Sequence, residues 1–464
     1  MGNKILLSLI VILFLIKVIA VYFTNLGMFG DEAQYWLWSK NFDFGYFSKP
    51  PFLSWFIGVY SVVFGDGFFS LKLIPVFTYF LIALSVYSLS KNIGLKKYEA
   101  VSCSLLFLLM PAVSFSSFII STDIFLILFW TLSLNELLKI TDKPKTKNFV
   151  YLGIYIGLAF ISKYAAIYFL VCFLVYVLID RKFRNLFFEN YLNFLLSLLF
   201  VLIILAPNII WNLNNEWVTL QHTSDNANLK NIEMNLFRGL EFIGIQILML
   251  GPFIFLGALI KIKKLNFSKN IKILLVFSLP IFVIVFFEAV IVRANANWAA
   301  PALISFFIYL YVNAKKGNIF MSLNILFNFI FCAVFFLLIS INYPTKIFER
   351  IIGLNSFAEL VYLEGSKNNI KNYVVSDRLL FSSLKYELRD RDISFFMPYK
   401  INSKITNHFM ISSPLNKLIS KNFILIGSPK DIIYLKNVHR FKIKEIPKYS
   451  FTKDKIEMYE VLFD

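Results

Sequence analysis

Apolar residues in this chain fall into long unbroken runs, beginning with residues 5–29. As a helix, a run of about twenty residues crosses the roughly 30 Å hydrocarbon core of a bilayer. Further runs at 71–90, 99–120, 124–138, 149–161, 164–179, 191–211, 236–260, 273–292, 298–313 and 319–341 bring the predicted spans to eleven. Only Asp123 interrupts residues 99–138, so that stretch reads as a hairpin with Asp123 at its tip. Residues 149–179 have basic loops at both ends and must therefore cross twice, turning at Ser162-Lys163. The pattern breaks after Ile341. Residues 342–464 carry 20 basic and 13 acidic side chains, with short apolar runs at 372–376, 393–397 and 423–426 and a helical pattern over 377–388. A polytopic α-helical membrane domain, 1–341, is thus expected to precede a small soluble α/β domain, 342–464.

Charge orients the spans. Lys91, Lys96 and Lys97, then Lys139, Lys143, Lys145 and Lys147, then Arg181, Lys182 and Arg184, then Lys261, Lys263, Lys264, Lys269 and Lys272, then Lys315 and Lys316 all sit in one alternating set of short loops. By the positive-inside rule this set is cytoplasmic. The N-terminus is then cytoplasmic, and the other loops and the C-terminal domain are extracytoplasmic. The composition agrees: 58% of the 464 residues are hydrophobic, including 54 Phe, well above the roughly 45–50% of soluble domains. The formal net charge of +18 is spent largely in those loops, so it does not point to nucleic acid. The first run is too long for a secretory signal and lacks a small-x-small cleavage site before Asp31, so it is read as a retained helix. Cys103, Cys172 and Cys332 lie far apart within apolar runs and read as small hydrophobes, while three scattered histidines suggest no zinc site.

Residues 30–55, GDEAQYWLWSKNFDFGYFSKPPFLSW, lie between the first two runs, at a membrane face. They hold adjacent carboxylates (Asp31, Glu32), aromatics (Tyr35, Trp36, Trp38, Tyr46) and Lys49 before two prolines. Each piece has an ordinary explanation. Tyr and Trp gather at interfaces, prolines end helices, and acidic side chains cap a helix start such as 33–40. The ordered combination D-E-A-x-Y, a spacer, then G-Y-F-x-K-P-P-F resembles the first non-cytoplasmic loop of the glycosyltransferase 39 / protein O-mannosyltransferase-like superfamily, whose bacterial branch includes lipid A aminoarabinose transferases. Four further segments match that family in order. Ser121-Thr122-Asp123 with Phe129-Trp130 resembles T-D-A-P-L-x-x-F-W, with Ile124-Phe125 in place of Ala-Pro; Ser162-Lys163-Tyr164 matches S-K-Y; the others are residues 207–217 and Asn295-Ala-Asn297-Trp298-Ala-Ala-Pro301.

The resemblance implies a GT-C fold and an inverting transferase. It would take a sugar from a polyprenyl-phosphate donor to an envelope lipid such as lipid A, another glycan or a protein. Such a reaction needs a base for the acceptor proton and cations for the departing phosphate. By family position Asp31 is the candidate base, with Glu32 and Asp123 as further catalytic carboxylates. Lys49, Arg293 and Lys163 are candidates for the phosphate, and Tyr35, Trp38, Tyr46, Asn297 and Trp298 for the sugar or the lipid. No metal is required, although a divalent cation between Asp31, Glu32 and Asp123 is chemically admissible. Neither a D-x-D clamp nor a glycine-rich phosphate loop is present, which favours a lipid-linked donor over a nucleotide sugar. The competing class is a transporter or flippase for a lipid-linked or small anionic substrate. Transporters place their charges near the bilayer midplane on broken helices, whereas these motifs lie at span ends.

Overall fold

The computed structural model describes residues 3–227, 232–260, 268–314, 319–401, 403–415, 421–435, 438–446 and 456–463. The basic positions Lys261, Lys263, Lys264, Lys315 and Lys316 lie outside the described residues. The chain divides into two compact units. The first is Met1–Phe23, Lys49–Leu53 and Phe69–Ser340, and the second is Thr24–Ser48, Ser54–Phe68 and Ile341–Asp464.

The first unit is helical. Among the described residues, six helices are long and apolar enough to cross a membrane: Lys4–Phe23, Phe68–Asn92, Thr122–Asp142, Tyr191–Asn214, Asn270–Ile291 and Ile319–Ser340. Two bent pairs raise this to eight if each is one span. The protein is therefore a multi-pass membrane protein, with shorter helices such as Lys97–Leu109 and Ala300–Ala314 in place of other predicted spans. Residues 236–260 are not one straight crossing. Gly251 has φ +99 and precedes Pro252, a pair that cannot continue a helix, and the two halves meet at 97°. Likewise 99–120 breaks before Pro111, giving Lys97–Leu109 and Pro111–Ser116. The apolar helix Phe52–Phe64, which falls mostly in the second unit, is not among the predicted spans.

In lipid there is no hydrophobic gain from pressing two apolar helices together, so close backbone contact must hold them. Thr146–Ser162 achieves this with Gly153 and Gly157, one turn apart, against Tyr191–Asn214. A Cβ on Gly153 would sit 2.3 Å from the Ser197 carbonyl oxygen, so no larger residue fits there. The Ser197 hydroxyl reinforces the contact by donating to the Phe149 carbonyl at 2.7 Å.

The second unit carries a five-stranded sheet: β1 (Asn372–Val375), β2 (Ser394–Phe396), β3 (Phe423–Ile426), β4 (Val438–Ile446) and β5 (Ile456–Phe463), in the order β2-β1-β3-β5-β4. β1 pairs in parallel with β2 and β3, and β5 runs antiparallel to β3 and β4. Helix Arg378–Glu387 makes the crossover from β1 to β2, its first N–H groups capped by Asp377. β3 reads Phe-Ile-Leu-Ile and is buried throughout, as a central strand must be. The edge strand β4 exposes Arg440, Lys442 and Lys444, charges that discourage further strand pairing.

Candidate active site

Asp123 sits in the first turn of Thr122–Asp142, where the free N–H groups favour an acidic side chain. Its two oxygens are both engaged. Oδ1 accepts from Lys163 Nζ at 2.5 Å and Oδ2 from Asn297 Nδ2 at 3.0 Å. Three of the sequence motifs therefore meet at one carboxylate. The Lys163 and Asp123 side chains are only 16% and 11% exposed, so water screens the pair weakly. Lys163 itself ends helix Thr146–Ser162 in extended backbone, φ −160, which turns its side chain out of the helical array. The next residue joins a fourth motif. Tyr164 donates to Asn208 Oδ1 at 2.7 Å and accepts from Asn212 Nδ2 at 3.1 Å. Each Asp123 oxygen thus has a fixed donor, which sets the orientation of the carboxylate.

Asp123 and Asn297 also line a cavity of about 550 Å³ in the first unit, whose other walls include Phe107, Met110, Ile245, Leu248, Leu303 and Phe331. One of its walls runs through the broken stretch from Met110 to Ser121. Two buried lysines, absent from the sequence candidates, hold that wall. Lys17 Nζ donates to the Leu108 carbonyl at 3.3 Å and to Ser117 Oγ at 3.0 Å, and Lys72 Nζ to the Phe118 carbonyl at 3.1 Å. A helix that breaks in lipid leaves carbonyls that only another side chain can satisfy. A lone lysine inside an apolar run was the signal for both. Arg293 is exposed, two residues after the end of Leu279–Ile291, and Trp298 lies half-buried in the turn Ala296–Ala299.

In the second unit, helix Gly30–Ser39 carries the acidic pair, and the two carboxylates part company. Glu32 is buried and turns back to accept the Phe29 backbone N–H at 2.8 Å, so it serves the helix start. Asp31 is 59% exposed and lies 3.6 Å from Arg378 NH1, which also donates to Gln34 Oε1 at 2.8 Å. Nothing in the sequence beyond its place at a helix start marked Arg378. Trp38 and Tyr46 need correction as sugar contacts. Their rings stack on each other 4.9 Å apart at 0°, both fully buried, and Tyr46 OH donates to the Trp38 and Asn41 carbonyls at 3.0 Å. A ligand could reach these faces only by opening the stack. Tyr35, buried and edge-on to Trp38 at 5.6 Å, belongs to the same packing. Lys49, half-buried, falls in the first unit. Among the described residues no three His, Cys, Asp or Glu side chains are placed to hold an ion.

His408 packs against the Trp38 and Tyr46 rings, 5.5 and 5.7 Å away, with its Nδ1 buried and unpartnered among the described residues. Burial holds its pKa down, from 6.5 to about 4. Glu387 moves the other way: burial, partly offset by nearby Arg389, lifts it from 4.5 to about 7. Between pH 4 and 6.5 the unfolded chain binds the His408 proton and the folded one does not, so this group stabilises more as pH rises. Between pH 4.5 and 7 the folded chain keeps the Glu387 proton and the unfolded one loses it, so this group stabilises less. Each is worth up to about 3 kcal/mol, and over their common window they oppose. The wild-type thermal midpoint should therefore vary little from pH 5 to 6.5. Glu387→Gln should make it climb with pH, and His408→Gln should make it fall. Parallel pH profiles for all three proteins would refute the pairing.

Comparison with known proteins agrees with this architecture. Residues 48–211 match the family described as dolichyl-phosphate-mannose-protein mannosyltransferase. Over 293 residues the chain is 28% identical to the lipid A galacturonosyltransferase RgtD of Rhizobium johnstonii, covering 62% of this chain and 61% of that protein's length. ArnT from Cupriavidus metallidurans in its apo state superposes with a TM-score of 0.69 at 12% identity, over 98% of both chains. The same protein bound to undecaprenyl phosphate gives 0.69 at 13%, over 99% of this chain and 98% of that one. The Archaeoglobus fulgidus oligosaccharyltransferase gives 0.50 at 16%, over 90% and 68%. The fold and membrane unit thus define a multi-pass membrane protein of the GT-C type. Within that class the comparisons support the resemblance read from the motifs: the chain is similar to glycosyltransferases of the glycosyltransferase 39 / protein O-mannosyltransferase-like kind.

Proposed function

We propose that the protein is a glycosyltransferase that moves a sugar from a polyprenyl-phosphate donor to an envelope acceptor on the outer face of a bacterial cytoplasmic membrane. The observation that carries this reading is the apolar cavity rimmed by Asp123 and Asn297, with Lys163 on the same carboxylate. An apolar cavity beside a fixed cation suits an amphipathic ligand with an isoprenoid body and an anionic head. ArnT, the structural neighbour, has a form bound to undecaprenyl phosphate. Eleven crossings with the N-terminus inside remain our reading of the topology, since the basic loops alternate with the motif-bearing ones.

In the reaction, the bond from the anomeric carbon to the phosphate oxygen breaks as a bond from the acceptor oxygen forms. Asp31 takes the acceptor proton. Lys49, Lys163 and Arg293 offset the charge left on the phosphate, and Trp298 borders the sugar. Because the curated relative is named a lipid A galacturonosyltransferase, a uronic acid donor and a phosphorylated glycolipid acceptor are the first pair to test. Purified protein in nanodiscs, given polyprenyl-phosphate galacturonic acid and lipid A, should release polyprenyl phosphate and add one sugar mass to the lipid. If uronic acid, aminopentose and hexose donors all stay intact while lipid-linked sugar crosses the bilayer of reconstituted vesicles, the protein is a transporter.

A further inference from the structure

A second cavity, of about 150 Å³, lies within the second unit between helix Gly30–Ser39, with the residues that follow it, and helix Arg378–Glu387. Four of its ten lining residues are cations, Lys40, Lys385, Arg389 and Arg391, and none is a carboxylate. We propose that it binds an oxyanion of phosphate size, a phosphate monoester or inorganic phosphate.

The charge bookkeeping supports this. Lys40 pairs with Asp66 at 2.6 Å, with Arg389 3.9 Å from the same carboxylate, and Arg391 lies 3.3 Å from Glu359. Asp390, 4.0 Å from Arg389, is 88% exposed and screened by water. Four cations thus face two paired carboxylates, neither of which lines the cavity, and the carboxyl of Glu387, also near Arg389, is held toward its neutral form by burial. Lys385 is the cation left over. Half-buried above the Phe381 ring, it has no carboxylate within ion-pair distance among the described residues, and burial pulls its pKa down. A desolvated ammonium without a counter-ion is costly, and an incoming anion would remove that cost.

The setting also favours a small, strongly charged ligand. Trp36, Leu388, Ile393 and Phe395 make apolar walls beside the cations, which strengthen their pull on an anion relative to open water. The cations are held in place from behind: Arg389 stacks over Tyr386 at 4.5 Å and donates to its carbonyl at 2.8 Å, and Arg391 stacks over Tyr362 at 4.5 Å. Guanidinium groups so fixed offer paired N–H donors to tetrahedral oxyanions. The volume is below the roughly 300–1,000 Å³ of pockets for larger organic ligands, which leaves room for a head group and not for a nucleotide.

The charge of this cavity does not depend on the transfer chemistry, so it can be tested without turnover. Full-length protein in phosphatidylcholine nanodiscs would be titrated with inorganic phosphate and with dihexanoyl phosphatidic acid, following 31P line widths. Dihexanoyl phosphatidylcholine, which lacks a phosphate monoester, serves as the control. Wild type should broaden the phosphate signals, and Lys385→Met and Arg391→Gln should each weaken binding about tenfold or more, while Lys367→Met, on a separate helix, should not. Tighter binding of phosphatidic acid than of inorganic phosphate would assign the site to lipid head groups, and equal binding to the free anion. If Lys385→Met fails to fold, Arg391→Gln, whose side chain is 45% exposed, decides alone. The proposal is overturned if wild type does not bind either probe, or if both variants bind them as wild type does.

Discussion

Asp31→Asn protein is expected to keep its fold and its affinity for polyprenyl phosphate while losing about 10²–10⁴ in transfer rate, the range a positioned general base supplies. The structure makes this exchange a clean one. Asparagine caps helices as well as aspartate does, and the backbone N–H at the start of Gly30–Ser39 is in any case taken by Glu32. The Arg378 contact, at 3.6 Å between side chains 38% and 59% exposed, is a weak ion pair, so its loss should hardly touch stability. What Asn removes is basicity. Glu32→Gln should do the reverse, loosening the helix start with a smaller effect on the chemical step. Initial rates of sugar transfer, with donor binding measured separately, check both. Wild-type turnover in Asp31→Asn would leave residues 30–55 with a purely structural role.

Lys163→Met should be the most damaging single change in the first unit. It leaves the Asp123 carboxylate with only the Asn297 amide in a setting that water screens poorly, and breaking such a pair costs about 3 kcal/mol. The thermal midpoint should drop, and affinity for polyprenyl phosphate with it, since a cation lost beside an anionic head weakens both ground and transition states. The double variant Asp123→Asn/Lys163→Met separates the two effects. Neutralising the stranded carboxylate should restore much of the stability and none of the binding. If Lys163→Met bound polyprenyl phosphate with the wild-type Kd, the lysine would be a structural counter-ion for Asp123 and nothing more.

Those two residues also mark how far the sequence could be read. The membrane character was plain because twenty-residue apolar runs have few other uses, and Asp123, Lys163 and Asn297 stood out because a polar motif at the end of such a run is costly unless it has a purpose. That one carboxylate would gather all three was not legible, since the partners lie 40 and 174 positions away. Breaks at Pro111 and Gly251 were hidden because hydropathy registers side chains and not backbone direction. Trp38 and Tyr46 misled for a related reason. Aromatics of an interfacial belt, of a sugar platform and of a packed core are the same residues, and only burial tells them apart. Phe423–Ile426 was readable as a strand from four consecutive β-forming residues, while Arg378 and the basic cavity required the crossover helix to be laid beside a segment more than three hundred residues earlier.

Lys17 adds a constraint in time. Its carbonyl partner at Leu108 is 91 residues further on, and its hydroxyl partner at Ser117 is 100. At about 5–20 residues per second, the ribosome delivers them some 5–20 s after the lysine has been made. Through that interval the first helix holds an ammonium with nothing in the chain to bind it, and it must wait at the insertion channel or near the lipid head groups. Its final depth is fixed only when residues 97–118 arrive, so the N-terminal segment is threaded first and seated late.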